Sequence, residues 1–314
     1  MINRGELRLD CSDMRVASGA GCGDALPMWL APETCNTAAT EVWVKTDEAN
    51  ASPRQLMLYW SQDDSEGQAL STVAGAEVFP FFDDFSGNVV DTSRWEVLGS
   101  AEATVADGTL TSFGEFGLQS AVYRATQGDV ALRVRGRLAS RHTTDVDIGF
   151  GRLDSPTSLH SGSRGWQGAT ALSWNESYGM FSNSADGAVN CWTIGTDNWA
   201  TRWVNAPESN DSFRDIRIFL GMHQGSAQLR LENDLGFVAD WRASEGCVMP
   251  QDAPLLLVLD HSNGDAGSGQ PTQTLDYVFT YRPLDPRDLN RIVVASTDAP
   301  EHISAPTTAS CLNP

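Results

Sequence analysis

Basic residues, histidines and long apolar runs are all scarce in this 314-residue chain, and each scarcity removes a class of function. Lys and Arg together number 21 against 41 Asp and Glu, a formal charge of −20. Such a field repels phosphate backbones and anionic headgroups, so nucleic acid and a bare membrane surface are poor partners. Cations are better ones, although the same acid also keeps a protein soluble. The longest aliphatic run, Leu255-Leu256-Leu257-Val258-Leu259, is far too short to span a bilayer, which argues against membrane insertion. Only five histidines occur and no cysteines form a C-x-x-C pair, so a zinc site is not expected. A G-x-S-x-G elbow and a Gly-rich phosphate loop are both absent, and no Cys/His pair suggests a nucleophile. The first residues, Met1-Ile2-Asn3-Arg4-Gly5, lack the apolar core of a secretion signal, so a secreted form would have lost its leader or carry it upstream.

What is present is strand chemistry and paired-cysteine chemistry. Hydrophobic residues make up 41%, enough for a globular chain of about two domains. Six cysteines, Cys11, Cys22, Cys35, Cys191, Cys247 and Cys311, are spread through the chain. An even, dispersed set suits disulfides in an oxidising compartment, and hence an extracellular or cell-surface location. Cys191–Cys247 is the natural pair within the larger domain. Cys311 then reaches back to one of the three N-terminal cysteines while the other two pair locally; which is which stays open.

Short apolar runs alternate with turn residues along most of the length. Asp13-Met14-Arg15-Val16, Glu41-Val42-Trp43-Val44-Lys45 and Gln55-Leu56-Met57-Leu58-Tyr59-Trp60 read as half-buried strands of a small unit over residues 1–80. From Phe81 to about residue 283 strand signals are many and helix signals few. Asp129-Val130-Ala131-Leu132-Arg133-Val134-Arg135 sets its arginines on one face and its aliphatics on the other. Ile216-Arg217-Ile218-Phe219-Leu220 and Ala227-Gln228-Leu229-Arg230-Leu231 flank Gln224-Gly225-Ser226, a hairpin signal. Leu255 to Leu259 is continuously apolar, as where both faces are covered, and Leu275 to Arg282 closes the domain. A dozen or so evenly spaced strands predict an all-β two-sheet sandwich of jelly-roll type. Residues 284–314 read as an extended tail pinned at Cys311.

Two resemblances sharpen this. Cys11-Ser12-Asp13-Met14-Arg15-Val16, Leu26-Pro27-Met28-Trp29-Leu30, Val42-Trp43-Val44-Lys45 and Leu56-Met57-Leu58-Tyr59-Trp60, leading into Phe82-Asp83-Asp84-Phe85, resemble successive blocks of a domain of unknown function, the 2341 family. That family occurs in bacterial and archaeal surface proteins, and the resemblance covers residues 3 to about 85. Where the family has Gly-Asn after its aromatic pair, this chain reads Ser61-Gln62. The family's opening strands have no counterpart here, which leaves either a chain cut inside that domain or an N-terminal strand edge open to neighbouring protein subunits. Phe82-Asp83-Asp84-Phe85, Asp91-Thr92-Ser93-Arg94-Trp95 and Leu275-Asp276-Tyr277-Val278 resemble the concanavalin A-like (laminin-G-like) lectin and glucanase superfamily. The expected fold is therefore a concanavalin A-like jelly roll with a small N-terminal β-unit. One such sandwich hosts lectins, hydrolases, lyases and inert adhesion modules, so the resemblance fixes no activity.

Three candidate sites follow. Sugar rings stack on flat aromatic faces while their hydroxyls need amides and carboxylates. Trp166, Tyr178, Asp197, Asn198, Trp199, Arg202 and Trp203 supply both within a window that holds five of the ten tryptophans. This predicts non-catalytic binding of a glycan or cell-surface polymer, against packing or loop anchoring as the plain alternative. The superfamily's hydrolases set carboxylates at alternate strand positions, Glu-x-Asp-x-Glu. Here Asp145 and Asp147 fill the first two and Gly149 the third, so two solvent-facing aspartates on an ordinary strand are the better account of the spacing. A divergent glycoside hydrolase or polysaccharide lyase is the second functional reading, and a structural subunit of a surface assembly the third. The resemblance also implies a structural calcium ion clamping the first strand of the sandwich to the last through Asp84 and Asp276. Turn capping by Asp83 and Asp84 is the alternative.

Overall fold

A computed structural model describes residues 11–18, 26–45, 56–60, 75–99, 102–125, 130–138, 147–153, 166–167, 172–173, 187–192, 199–204, 213–223, 226–233, 238–242, 253–260 and 272–282, less positions 13, 36, 38, 39, 114, 115 and 151. The chain divides into two compact units, residues 1–80 with 287–314, and residues 81–286.

In the first unit β1 (Met14–Ser18) pairs antiparallel with β4 (Leu56–Trp60), and β2 (Met28–Leu30) with β3 (Val42–Val44). A one-turn helix, α1 (Gly75–Val78), follows. Its buried core holds Cys11, Met14, Val16 and Met28, flanked by Leu26, Leu30, Cys35, Val42 and Val44. A disulfide joins Cys11 to Cys35. It is one of the local pairings the sequence left open; Cys22, Cys247 and Cys311 lie outside the described residues, and Cys191 is described in its backbone alone. Phe79, just past α1, meets Trp29 and Trp43 edge-on at centroid distances of 5.4 and 5.5 Å.

The second unit comprises β5 (Phe81–Asp83), β6 (Trp95–Gly99), β7 (Ala103–Ala106), β8 (Thr109–Phe113), β9 (Phe116–Ala125), β10 (Val130–Leu138), β11 (Asp147–Phe150), β12 (Arg152–Leu153), β13 (Trp166–Gln167), β14 (Leu172–Ser173), β15 (Gly187–Trp192), β16 (Trp199–Val204), β17 (Arg214–His223), β18 (Ser226–Asn233), β19 (Val238–Arg242), β20 (Ala253–Asp260) and β21 (Thr272–Tyr281). For β4, β12 to β16, β18 and β19 only the backbone is described. An eight-stranded sheet runs β19-β18-β17-β10-β21-β8-β7, with β5 also on β21; a seven-stranded sheet runs β16-β15-β14-β11-β20-β9-β6. The chain passes repeatedly from one sheet to the other, which makes this an all-β jelly-roll sandwich. Every pairing between described strands is antiparallel.

Period-2 alternation accounts for the core. Val130, Leu132 and Val134 of β10 with Ile216 and Ile218 of β17 point inward from one sheet. Phe116 and Leu118 of β9, Ile148 and Phe150 of β11, and Leu255 and Leu257 of β20 meet them from the other. Burying each such side chain contributes about 1.5 to 3 kcal/mol, so this layer dominates the unit's stability. Register shifts keep the faces aligned. β21 carries a bulge at Asp276, since Arg135 opposes Tyr277 but Gly136 opposes Leu275. β9 breaks register against β20, where Leu256 opposes Gln119 and Pro254 opposes Arg124. Buried Ser120 fills the break, its hydroxyl donating to the Tyr123 carbonyl and accepting from Leu255 N. Among the described residues no helix is long and apolar enough to cross a membrane.

Candidate functional site

The stretch from Phe81 to Trp95, on which the family resemblances rest, forms a closed hydrogen-bonded lock. Asp83 is buried, with Oδ1 accepting from Phe85 N at 2.9 Å and Oδ2 from Trp95 Nε1 at 2.6 Å. Burial pushes its pKa above 3.8, against the lowering effect of those two hydrogen bonds and of Arg94. Arg94 donates to the Phe82 carbonyl and pairs with Asp91, whose other oxygen accepts from Ser93 N and Oγ. Those Ser93 bonds hold the exposed Asp91 carboxyl below its usual range. Phe81 meets Trp95 edge-on at 4.8 Å inside the core. Each acid here has a structural partner, so the motif secures β5 to the turn before β6.

The calcium expectation falls on the same strands. Asp84 Oδ1 accepts from Ser86 N at 3.2 Å, the capping role that the sequence left as the alternative. Asp276, at the bulge in β21, has Oδ2 3.0 Å from Arg135 Nε. Among the described residues no group of three or more His, Cys, Asp or Glu is placed to hold a metal ion.

The most charged cluster the structure describes was not foreseen. Arg133 lies on the arginine face of β10 as the alternation predicts, yet that side chain is only 2% exposed. Its Nε is 2.9 Å from Asp215 Oδ1, which also accepts from the Tyr277 hydroxyl at 2.6 Å. The guanidinium lies over the rings of Tyr277 and Phe279. Burial opposes charge on Asp215, but Arg133, the Tyr277 hydroxyl and Arg135 outweigh it and hold the carboxyl below 3.8. Phe279 in turn stacks on Phe82 and Tyr277. The only local signal was the alternation of β10. The partners come from β17 and β21, 82 and 62 residues apart in the hydrogen-bonded pairs, and nothing nearby in sequence announces them.

Three of the seven predicted sugar-binding positions lie at one edge of the seven-stranded sheet. β16, its outermost strand, carries Trp199, Arg202 and Trp203. The β15–β16 register sets Trp192 opposite Trp199, Val189 opposite Arg202 and Ala188 opposite Trp203. Trp166 lies on β13, opposite Leu153 of β12, in a separate two-stranded sheet. Tyr178, Asp197 and Asn198 lie outside the described residues. Of the two candidate catalytic aspartates, Asp147 is on β11, the central strand of the seven, opposite Ser173 and Val258. Asp145 lies outside the described residues.

Residues 10–98 match the family described as "Domain of unknown function (DUF2341)". The matched span runs past Pro80 and takes in β5, the Asp83–Trp95 lock and most of β6. No curated protein matches the chain. Among solved structures, the chain is similar to LamAcat from Zobellia galactanivorans at 17% identity, over 65% of this chain and 97% of that one, with a TM-score of 0.45. It is also similar to an endo-1,3-beta-glucanase from Streptomyces sioyaensis at 12% identity, over 65% and 96%, with a TM-score of 0.46. A family 16 glycosyl hydrolase protein from Mycobacterium smegmatis matches at 15% identity, over 65% and 100%, with a TM-score of 0.42.

Proposed function

We propose that this chain is a non-catalytic carbohydrate-recognition module of an extracellular or cell-surface protein, binding its glycan along the β15–β16 edge of the seven-stranded sheet. The observation that carries the reading is the β15–β16 register, which aligns Trp192 with Trp199 and sets Trp199 and Trp203 an even number of positions apart on the outermost strand. Aromatic platforms beside hydrogen-bonding groups are what a pyranose ring requires. The Cys11–Cys35 disulfide supports an oxidising compartment. The acids of the Phe81–Trp95 lock and the Arg133–Asp215 cluster are engaged in structure, which takes them out of contention as a general acid and base.

Trp199→Ala and Trp203→Ala, scored by isothermal titration with soluble β-glucan and mannan oligosaccharides, should each weaken binding about tenfold, the loss of one stacking contact. Their melting temperatures should match the parent's. Unchanged affinity in both variants would remove the site. A second reading, a divergent glycoside hydrolase, is favoured by the central position of Asp147 in its sheet. Reducing-sugar release that disappears in Asp147→Asn would establish it instead.

A further inference from the structure

We infer that the Cys11–Cys35 disulfide is a redox latch for the N-terminal unit alone, so that reducing this one bond opens that unit while the jelly roll stays folded. The two sulfurs hold unequal positions. Cys11 is 0% exposed and sits in the unit's core beside Met14, Val16 and Met28, whereas Cys35 is half-buried at its margin. Around the bond the described secondary structure is slight: two separate two-stranded sheets, one of them with strands of three residues. Isolated two-stranded pairs are marginal in water. Among the described residues the hydrogen bond from Leu26 N to the Val16 carbonyl joins β1 to the segment entering β2, and the disulfide joins the residues flanking those strands.

The backbone beside the bond is held in an unfavourable shape. Cys11 has φ of 56° and Glu33, two residues before Cys35, has φ of 60°, the left-handed region that non-glycine residues avoid. Such conformations persist where the surroundings over-determine them, and a covalent bridge does so. Once the bridge opens, Cys11 is free to leave both the left-handed region and the core.

The chemistry requires a dithiol reductant. One of its thiolates attacks the half-buried Cys35 Sγ, the S–S bond breaks, and Cys11 leaves as a thiolate that takes up a proton. The second thiol then closes the reductant's own disulfide and releases Cys35 as a thiol. Two electrons and two protons pass from the dithiol to the protein. The jelly roll has its own core drawn from both sheets, and no free cysteine is found among the described residues.

Hydrogen exchange read by mass spectrometry on the full chain, with and without dithiothreitol, tests this. Amides of β1 and β2 should exchange at least tenfold faster after reduction, while those of β10 and β17 keep their rates. The Cys11→Ser/Cys35→Ser double variant should show the fast pattern without reductant and no further change in β1 and β2 with it. That separates this bond from any other that dithiothreitol reduces. Unchanged protection of β1 in the reduced parent would overturn the inference, as would equal acceleration of both units in the double variant without reductant. Should the double variant not accumulate, brief reduction of the folded parent, alkylation of Cys11 and Cys35 and hydrogen exchange on the alkylated chain freed of reductant give the same decision.

Discussion

Asp215 shows how one residue decides whether a charge can be buried. Arg133 lies beneath two aromatic rings at 2% exposure and is tolerable there because Asp215 faces it at 2.9 Å. Removing one partner of a buried pair costs far more than the pair contributes, since the other charge is left stranded. Asp215→Asn should therefore lose about 3 kcal/mol in urea unfolding at neutral pH. The pH dependence has a definite sign. The folded pKa of Asp215 is lowered, so its contribution is complete above 3.8 and is lost as pH falls through the lower folded value. Asp83 runs the other way. Its folded pKa is raised, so the native state holds the proton more firmly and gains stability as pH falls through that raised value toward 3.8. The acid-side loss below 3.8 should shrink in Asp215→Asn, and an unchanged acid limb would contradict the assignment.

At the scale of elements, β7 and β8 are joined by Asp107-Gly108, with Ala106 opposite Thr109. Both turn residues have positive φ, 51° and 72°, as a type I′ turn requires. A Cβ at Gly108 would stand 3.8 Å from the Asp84 carbonyl, ordinary contact, so Gly108→Ala should cost only backbone strain. About 1 kcal/mol is expected, read as a lower melting temperature with unchanged strand content by circular dichroism. Strands with one core face were legible in the sequence because period 2 shows wherever one side is dry. Val130, Leu132 and Val134 against Arg133 and Arg135 announced β10, and His223 opposite Ser226 realises the hairpin read from Gln224 to Ser226. Sheet membership was not legible, because β10 takes β17 and β21 as neighbours and skips everything between. The burial of the arginine face was hidden for the same reason: alternation reports that two faces differ, not which of them meets water. Of the glycan candidates, the register reached Trp199, Arg202 and Trp203, which local periodicity had grouped only by proximity.

For the whole molecule, the formal charge of −20 makes compactness costly. Raising salt from about 0.01 M to about 1 M shortens the screening length from ~30 Å to ~3 Å. The melting temperature should rise by a few degrees over that range, followed by calorimetry, whereas a fall would mean that attractive pairs outweigh the acid's self-repulsion. The same charge neither attracts nor repels a neutral glycan, the ligand proposed above. The bulge in β21 sets a further condition on the fold. Leu275 and Val278 both enter the core although an odd number of steps separates them, and only the extra residue at Asp276 reconciles their parity. Natural variation along this strand should therefore run to exchanges of side chain and never to a change of length: a chain one residue shorter or longer there would turn the aromatic face of its last strand inward and its aliphatic face out.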